Sequence, residues 1–301
     1  MSRPDFFVAG FYKCGTTSLY FILQQHRDIL VSKEKENLFF ADEELYKKGI
    51  RWYEDTYYNF DKTNSREKVI EVNPGLAEAA GTARRLRRFY SPGTPIVFIV
   101  RNPVDLLYSH FKFQVRRGEY SLKEMNFCKK NTYAVAFERY VRNNGKEIKQ
   151  YKHFFSTQLK EYQKYFNNIK VLFLEDLHRD AKKVYCEILA HWELEYDEVD
   201  IDIRANVTDF VPRYPLEKKI HLGIRKCNQQ SLLKEKNAVG QYIFKVTRSI
   251  EDRLFEHIKK TGIEDKSVMY QKTRADLQGY FESEKKIIEK ITDRDLKDIW
   301  W

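Results

Sequence analysis

Cysteine is scarce in this 301-residue chain, with four residues at 14, 128, 186 and 227 and no C-x-x-C pair. Such spacing excludes a zinc ribbon and a disulfide framework, and it reads as reduced thiols in a cytoplasmic protein. No apolar stretch approaches the roughly 18 residues needed to span a bilayer, so no transmembrane segment is expected. A lumenal enzyme trimmed of its anchor carries the same signature, and the lone sequon Asn206-Val207-Thr208 decides nothing. No low-complexity linker and no internal repeat divides the chain, which favours one large domain. Zinc spacing, RNP-like sequence and tandem aromatic-basic repeats are all missing, which argues against nucleic acid as a partner.

What is present is an apolar core and a cationic surface. Hydrophobic residues make up 42% of the chain, with 20 tyrosines and 21 phenylalanines supplying much of the interior. A formal charge of +10 and a pI near 9.2 attract anions without choosing among nucleotides, acidic polysaccharide and membrane.

Apolar runs at DFFVAGF (5–11), KVIEVN (68–73), PIVFIV (95–100) and IKVLFLE (169–175) are continuous rather than alternating, as in strands buried on both faces of a parallel sheet. Helical patterns lie between them: one after residue 15, one over 76–90, and one opened by Pro103. The expected fold is therefore α/β, a P-loop-like central parallel sheet flanked by helices, with a nucleotide-binding core at 1–176 and a mainly helical part at 177–301. Within the latter, DLQGYFESEKKIIEKI (276–291) puts Leu277, Phe281, Ile288 and Ile291 near one face, and the final IWW is expected to pack back on the body or on another subunit.

The stretch AGFYKCGTTSLYFIL (9–23) resembles a phosphate-binding loop entering a helix, but its lysine is displaced. A triphosphate loop reads G-x-x-x-x-G-K-[ST], and here Thr16 takes the lysine's place while Lys13 lies inside the loop. A lysine there suits the bridging oxygen of a two-group anion, with backbone amides and the helix N-terminus holding the rest. Arg101 closes the third apolar run, and Ser109 stands about two turns into the next helix; the pair suits a further phosphate.

These motifs, YKCGTTSLY and RNPVDLLYSHF, resemble those of sulfotransferases that use 3′-phosphoadenosine 5′-phosphosulfate (PAPS), especially the carbohydrate sulfotransferases of the heparan sulfate type and their bacterial relatives. KENLFF (35–40), YKKGIRWY (46–53), VLFLEDL (171–177) and the closing ITDRDLKDIWW extend the similarity along nearly the whole chain. The resemblance implies contacts to the 5′-phosphosulfate from Lys13, Cys14, Gly15, Thr16, Thr17 and Ser18, and to the 3′-phosphate from Arg101 and Ser109. Arg213, in the 206–219 stretch, is a candidate for a late cationic loop over the adenosine or the acceptor. PAPS is then the donor, adenosine 3′,5′-bisphosphate (PAP) the product, and no metal is required.

The resemblance also makes Glu36 the catalytic base and Lys13 the stabiliser of the leaving phosphate oxygen, as in-line attack by a hydroxyl demands. Substrate contacts fall on Lys35, Glu71 and Asn73. His110 is the histidine nearest the second motif, but adjacent helical residues point in different directions. The chain departs from the heparan pattern E-K-T-P-x-Y, with Val72 and Leu76 replacing the lysine and tyrosine, and Leu38 stands where a histidine is common. The acceptor is thus a hydroxyl on a sugar, a glycolipid or a small natural product. Two rivals stay open: a magnesium-dependent kinase or nucleotide hydrolase, and a non-enzymatic basic module binding acidic polysaccharide or nucleic acid. The oligomeric state is not written in the sequence.

Overall fold

The computed structural model describes residues 3–32, 35–58, 67–117, 132–203, 210–211, 249–250, 253, 263–264 and 266–301. Five parallel strands form one sheet: β1 (Phe6–Val8), β2 (Ile29–Val31), β3 (Lys68–Val72), β4 (Ile96–Val100) and β5 (Ile169–Phe173), in the order β2-β3-β1-β4-β5. The registers are regular, with Phe7 opposite Glu71 on one side and Ile96 on the other. Every residue of β1 and β4 is buried, which is why their sequences run without polar alternation.

From β1 the chain passes to the edge strand β2, returns to β3 beside β1, and then crosses to β4 and β5 on the other side. This reversal puts a switch point at the carboxyl end of β1, where the loops after β1, β3 and β4 converge. Helix α1 (Thr16–Leu23) follows β1; α2 (Glu43–Tyr46) and α3 (Ile50–Tyr57) follow β2. The helix expected over 76–90 is two short ones, α4 (Gly75–Glu78) and α5 (Thr82–Arg87). Ala79 is extended and Gly81 left-handed at φ 78°, so the helical ladder stops and restarts between them. Helix α6 (Pro103–Arg117) begins at the proline, and Asn102 Oδ1 accepts the Val104 N–H at 3.0 Å.

The chain clusters into two compact units, each assembled from separate segments. The first holds the sheet: residues 1–106, 150–206 and 278–301. It includes α9 (Phe154–Gln163), α10 (Leu174–Arg179), α11 (Ala181–His191) and the end of α12 (Gln271–Thr292), α7 and α8 being Thr132–Asn143 and Gly145–Tyr151. Its closing residues pack back on the unit: Trp300 is buried against Phe155 and Phe173, and its carbonyl accepts from Asn102 Nδ2 at 3.0 Å.

The second unit comprises residues 107–149 and 207–277. Phe111, Phe137 and Tyr140 form a ring cluster there, and the Tyr108 hydroxyl donates to the Ser267 carbonyl at 2.7 Å. It also contains the two-stranded antiparallel pair β6 (Phe210–Val211) and β7 (Ile263–Glu264). Among the described residues, no helix is long and apolar enough to cross a membrane.

Candidate active site

The loop after β1 keeps hydrogen bonding to β4 as it leaves the sheet, Ala9 N to Val97 O at 2.8 Å and Phe11 N to Ile99 O at 3.4 Å. Gly10 lies between these bonds, where a Cβ would stand 2.3 Å from the Ile99 nitrogen, so only glycine lets the two backbones pass. Two left-handed residues then turn the chain, Lys13 at φ 65° and Gly15 at φ 89°. At Gly15 a side chain would also meet Leu174 Cδ1 at 2.5 Å.

Gly15 caps α1 without a side-chain hydrogen bond. The first-turn amides at Thr16, Thr17 and Ser18 therefore carry the positive end of the helix dipole. Thr16 is buried, and Thr17 and Ser18 are partly exposed. Cys14 is fully buried, and burial pushes its thiol well above the usual range despite the opposing charge of Arg101. Its main-chain N–H donates to the Phe11 carbonyl at 3.2 Å, closing the turn that leads into Gly15.

Arg101, at the carboxyl end of β4, donates from Nη1 to the Lys13 carbonyl at 3.2 Å and braces the loop from behind. Beside it Glu175 accepts the Asn102 N–H at 2.8 Å; burial raises its pKa, while that bond and the Arg101 charge act against the rise. Ser109, eight residues after Arg101 on α6, falls in the second unit. Arg213 lies outside the described residues.

Segment 35–41, between β2 and α2, carries Glu36. Phe39 and Phe40 are fully buried and pack on Tyr46, Tyr53 and one another, while Leu38 is 47% exposed. Asn73 Nδ2 donates to the Asn37 carbonyl and Arg85 Nη1 to the Phe40 carbonyl at 2.9 Å. Those anchors hold Glu36 left-handed at φ 64°, a conformation costing about 1 to 3 kcal/mol in a residue with a Cβ. Its carboxylate pairs with Lys35 Nζ, and both side chains keep partial access to solvent.

Glu71 and Asn73 are wholly enclosed. Glu71 Oε2 accepts from the Tyr53 hydroxyl and, at 2.7 Å, from that of Tyr58; its Oε1 accepts from Asn73 Nδ2 at 2.8 Å. Burial raises the Glu71 pKa, and these donors oppose the rise. The network extends to the carbonyl of Asn37, which is itself buried. Sequence reasoning missed Tyr53, Tyr58 and Arg85, which hold the segment, and also Glu78, whose Oε1 accepts the Tyr12 N–H at 2.8 Å. Tyr53 lies inside YKKGIRWY and was within reach; nothing near Glu78 in sequence reveals a partner 66 residues away.

A cavity of about 240 Å³ opens beside the first turns of α1, lined by Ser18, Ile22, Leu177, His178, Arg179 and Ile203 among others. It lies in the first unit with Lys13, Glu36 and Arg101.

Residues 3–274 match the family model for the Sulfotransferase domain. The chain belongs to the sulfotransferase family. It is 28% identical over 113 residues to the membrane-associated sulfotransferase kil1 of Dictyostelium discoideum, covering 38% of this chain and 23% of that one. It is also 28% identical over 120 residues to the human bifunctional heparan sulfate N-deacetylase/N-sulfotransferase 2, covering 38% of this chain and 13% of the other. The matched stretch thus spans under a quarter of either relative. A solved sulfotransferase from Alicyclobacillus acidocaldarius aligns over 99% of both chains at TM-score 0.60 and 22% identity, a likeness that shows the fold. The parallel sheet with flanking helices, expected from the apolar runs, is this sulfotransferase fold.

Proposed function

We propose that this sulfotransferase domain, residues 1–301, moves the sulfuryl group of PAPS to an acceptor hydroxyl on a carbohydrate, glycolipid or small natural product. The reading rests chiefly on one observation. A lysine-bearing glycine loop braced by Arg101 and a segment presenting Glu36 both stand at the carboxyl end of a sulfotransferase sheet. Lys13 and the amides of Gly15 to Ser18 hold the phosphosulfate and Arg101 takes the 3′-phosphate; Ser109 and Arg213 are the further contacts that the family resemblance supplies. The cavity beside Ser18 offers room for the nucleoside.

In the transfer, Glu36 accepts the proton of the acceptor hydroxyl as that oxygen bonds to sulfur. The bond from sulfur to the 5′-phosphate oxygen breaks, and Lys13 neutralises the charge that develops on that oxygen as PAP departs. Lys35 fixes the Glu36 carboxylate and meets the acceptor. Glu71 and Asn73 serve acceptor binding through the Asn37–Phe40 segment that they anchor. Neither half of the reaction calls for a metal.

Transfer from labelled donor to a panel of sugar, glycolipid, phenolic and amine acceptors, read by mass spectrometry, tests the proposal. Glu36→Ala is expected to lower turnover by about 10²- to 10⁴-fold and leave PAP affinity within twofold. Lys13→Ala is expected to lower both. Native turnover in Glu36→Ala would remove Glu36 as the base.

A further inference from the structure

The helix that follows β3 ends on a carboxylate with no part in the chemistry just described. Glu78 closes α4, and its Oε1 holds the Tyr12 N–H at 2.8 Å. That peptide immediately precedes Lys13, the left-handed residue of the donor loop. The Tyr12 side chain comes to the same helix, since a Cβ on Gly75 would lie 3.5 Å from its hydroxyl oxygen. Glu78 is therefore tied to the loop from the β3 side, as Arg101 is from the β4 side.

The electrostatic surroundings of the two ties differ. Arg101 ties the loop through a guanidinium nitrogen. Glu78 is largely buried, and burial raises it to about 7, with the Tyr12 N–H opposing and the charge of Glu36 adding to the rise. From the donor loop Cys14 shares this electrostatic corner, with Lys13 next to the tied Tyr12 peptide. From the 35–41 segment Glu36 reaches Glu78 by charge and pairs with Lys35, while Glu71 of β3 is bound to Tyr53, Tyr58 and Asn73. Helix α5 sends Arg85 to the Phe40 carbonyl, and α9 sends the Tyr162 hydroxyl to the Leu76 carbonyl at 2.6 Å. Ionised Glu78 places a negative charge under a loop meant for an anion. Protonated, it keeps the Tyr12 tie without that charge.

We propose that Glu78 is a positioning residue of the donor loop whose protonation sets the affinity for the 3′-phosphoadenosine nucleotide, so that the donor site weakens as the solution becomes alkaline. The inference rests on the reading of this loop as the donor site. It differs from the role given to Glu36, because it acts on binding and not on proton transfer.

Calorimetric titration of PAP from pH 6 to 8.5, with native protein, Glu78→Gln and Glu78→Ala, tests it. Comparing variants at each pH cancels the ionisation of the ligand's own phosphates. Native protein and Glu78→Gln should bind alike at pH 6, since glutamine keeps an oxygen for Tyr12. By pH 8.5 the native protein should bind roughly tenfold more weakly than Glu78→Gln, about one pKa unit of coupling. Glu78→Ala, which loses the tie, should bind more weakly than both at pH 6. Glu36→Gln should move the native transition to lower pH, because one charge that holds the proton on Glu78 is gone. A native-to-Gln affinity ratio constant across the range would overturn the proposal while leaving the donor site intact. Absence of PAP binding at every pH would overturn the donor-site reading and this inference with it.

Discussion

Replacing Gly10 with alanine puts one methyl group where the structure has least room. The added carbon would stand 2.3 Å from Ile99 N, 2.5 Å from Ile99 Cγ2 and 3.1 Å from Ile99 Cα, whereas nonbonded carbon contacts settle near 3.5 to 4.0 Å. Ile99 cannot retreat. It is fully buried in β4 and registered against Leu172 of β5. The loop must move by about 1 Å, which overpacks the core at about 1 to 3 kcal/mol. The move also strains the hydrogen bonds on either side of Gly10, worth about 1 kcal/mol each. A loss of about 3 to 4 kcal/mol is expected, which at roughly 2 °C per kcal/mol in a chain this long lowers Tm by roughly 6 to 8 °C. Because the same shift displaces Lys13, PAP affinity should fall together with stability. Far-UV circular dichroism on heating reads the first effect, and calorimetry the second. Gly279→Ala is the control: this exposed glycine of α12 has no atom within 4 Å of an added Cβ, and alanine should stabilise the helix by about 0.5 to 1 kcal/mol. If Gly10→Ala melted within a degree of the native protein and bound PAP equally well, the close-approach argument would be wrong.

Two further outcomes follow from the buried carboxylates. Tyr58→Phe removes a 2.7 Å donor from the enclosed Glu71 and should cost about 1.5 to 3 kcal/mol in urea unfolding; with Tyr53→Phe the losses should not add, because both hydroxyls share Oε2. Glu284 of α12 is fully buried and accepts from Ser156 N and Oγ at 2.8 and 2.5 Å, and its pKa is raised above 4.5, chiefly by burial. A raised carboxyl binds its proton more tightly folded than unfolded, so its stabilisation is complete below about pH 4.5 and is lost as pH rises through the folded value. Glu284→Gln should flatten that part of the pH-stability curve, and an unchanged slope would count against the assignment.

Legibility in the sequence followed the distance between interacting residues. The four apolar runs named strands because burial on both faces leaves continuous hydrophobic sequence, and each became a strand of the sheet. The fifth strand escaped, since Ile29–Val31 is three residues long and charge follows immediately. The 76–90 helix was read as unbroken because its apolar spacing continues across Gly81, whose left-handed turn interrupts it. The turn after β1 was readable because its residues are consecutive and Gly10 and Gly15 carry their own geometric reason. Glu71 is a substrate contact only by the family resemblance, and its enclosure by Tyr53 and Tyr58, 18 and 13 residues earlier, has no local signal. The grouping of 150–206 and 278–301 with the sheet left no local signal, because contacts between distant segments define it.

The central claim concerns which anion the displaced lysine serves. Calorimetric titration of the native protein with PAP and, separately, with ATP and magnesium tests it most directly. PAP should bind with one-to-one stoichiometry, lose affinity in Lys13→Ala, and outcompete magnesium ATP. Tight binding of magnesium ATP with PAP ignored would contradict the account.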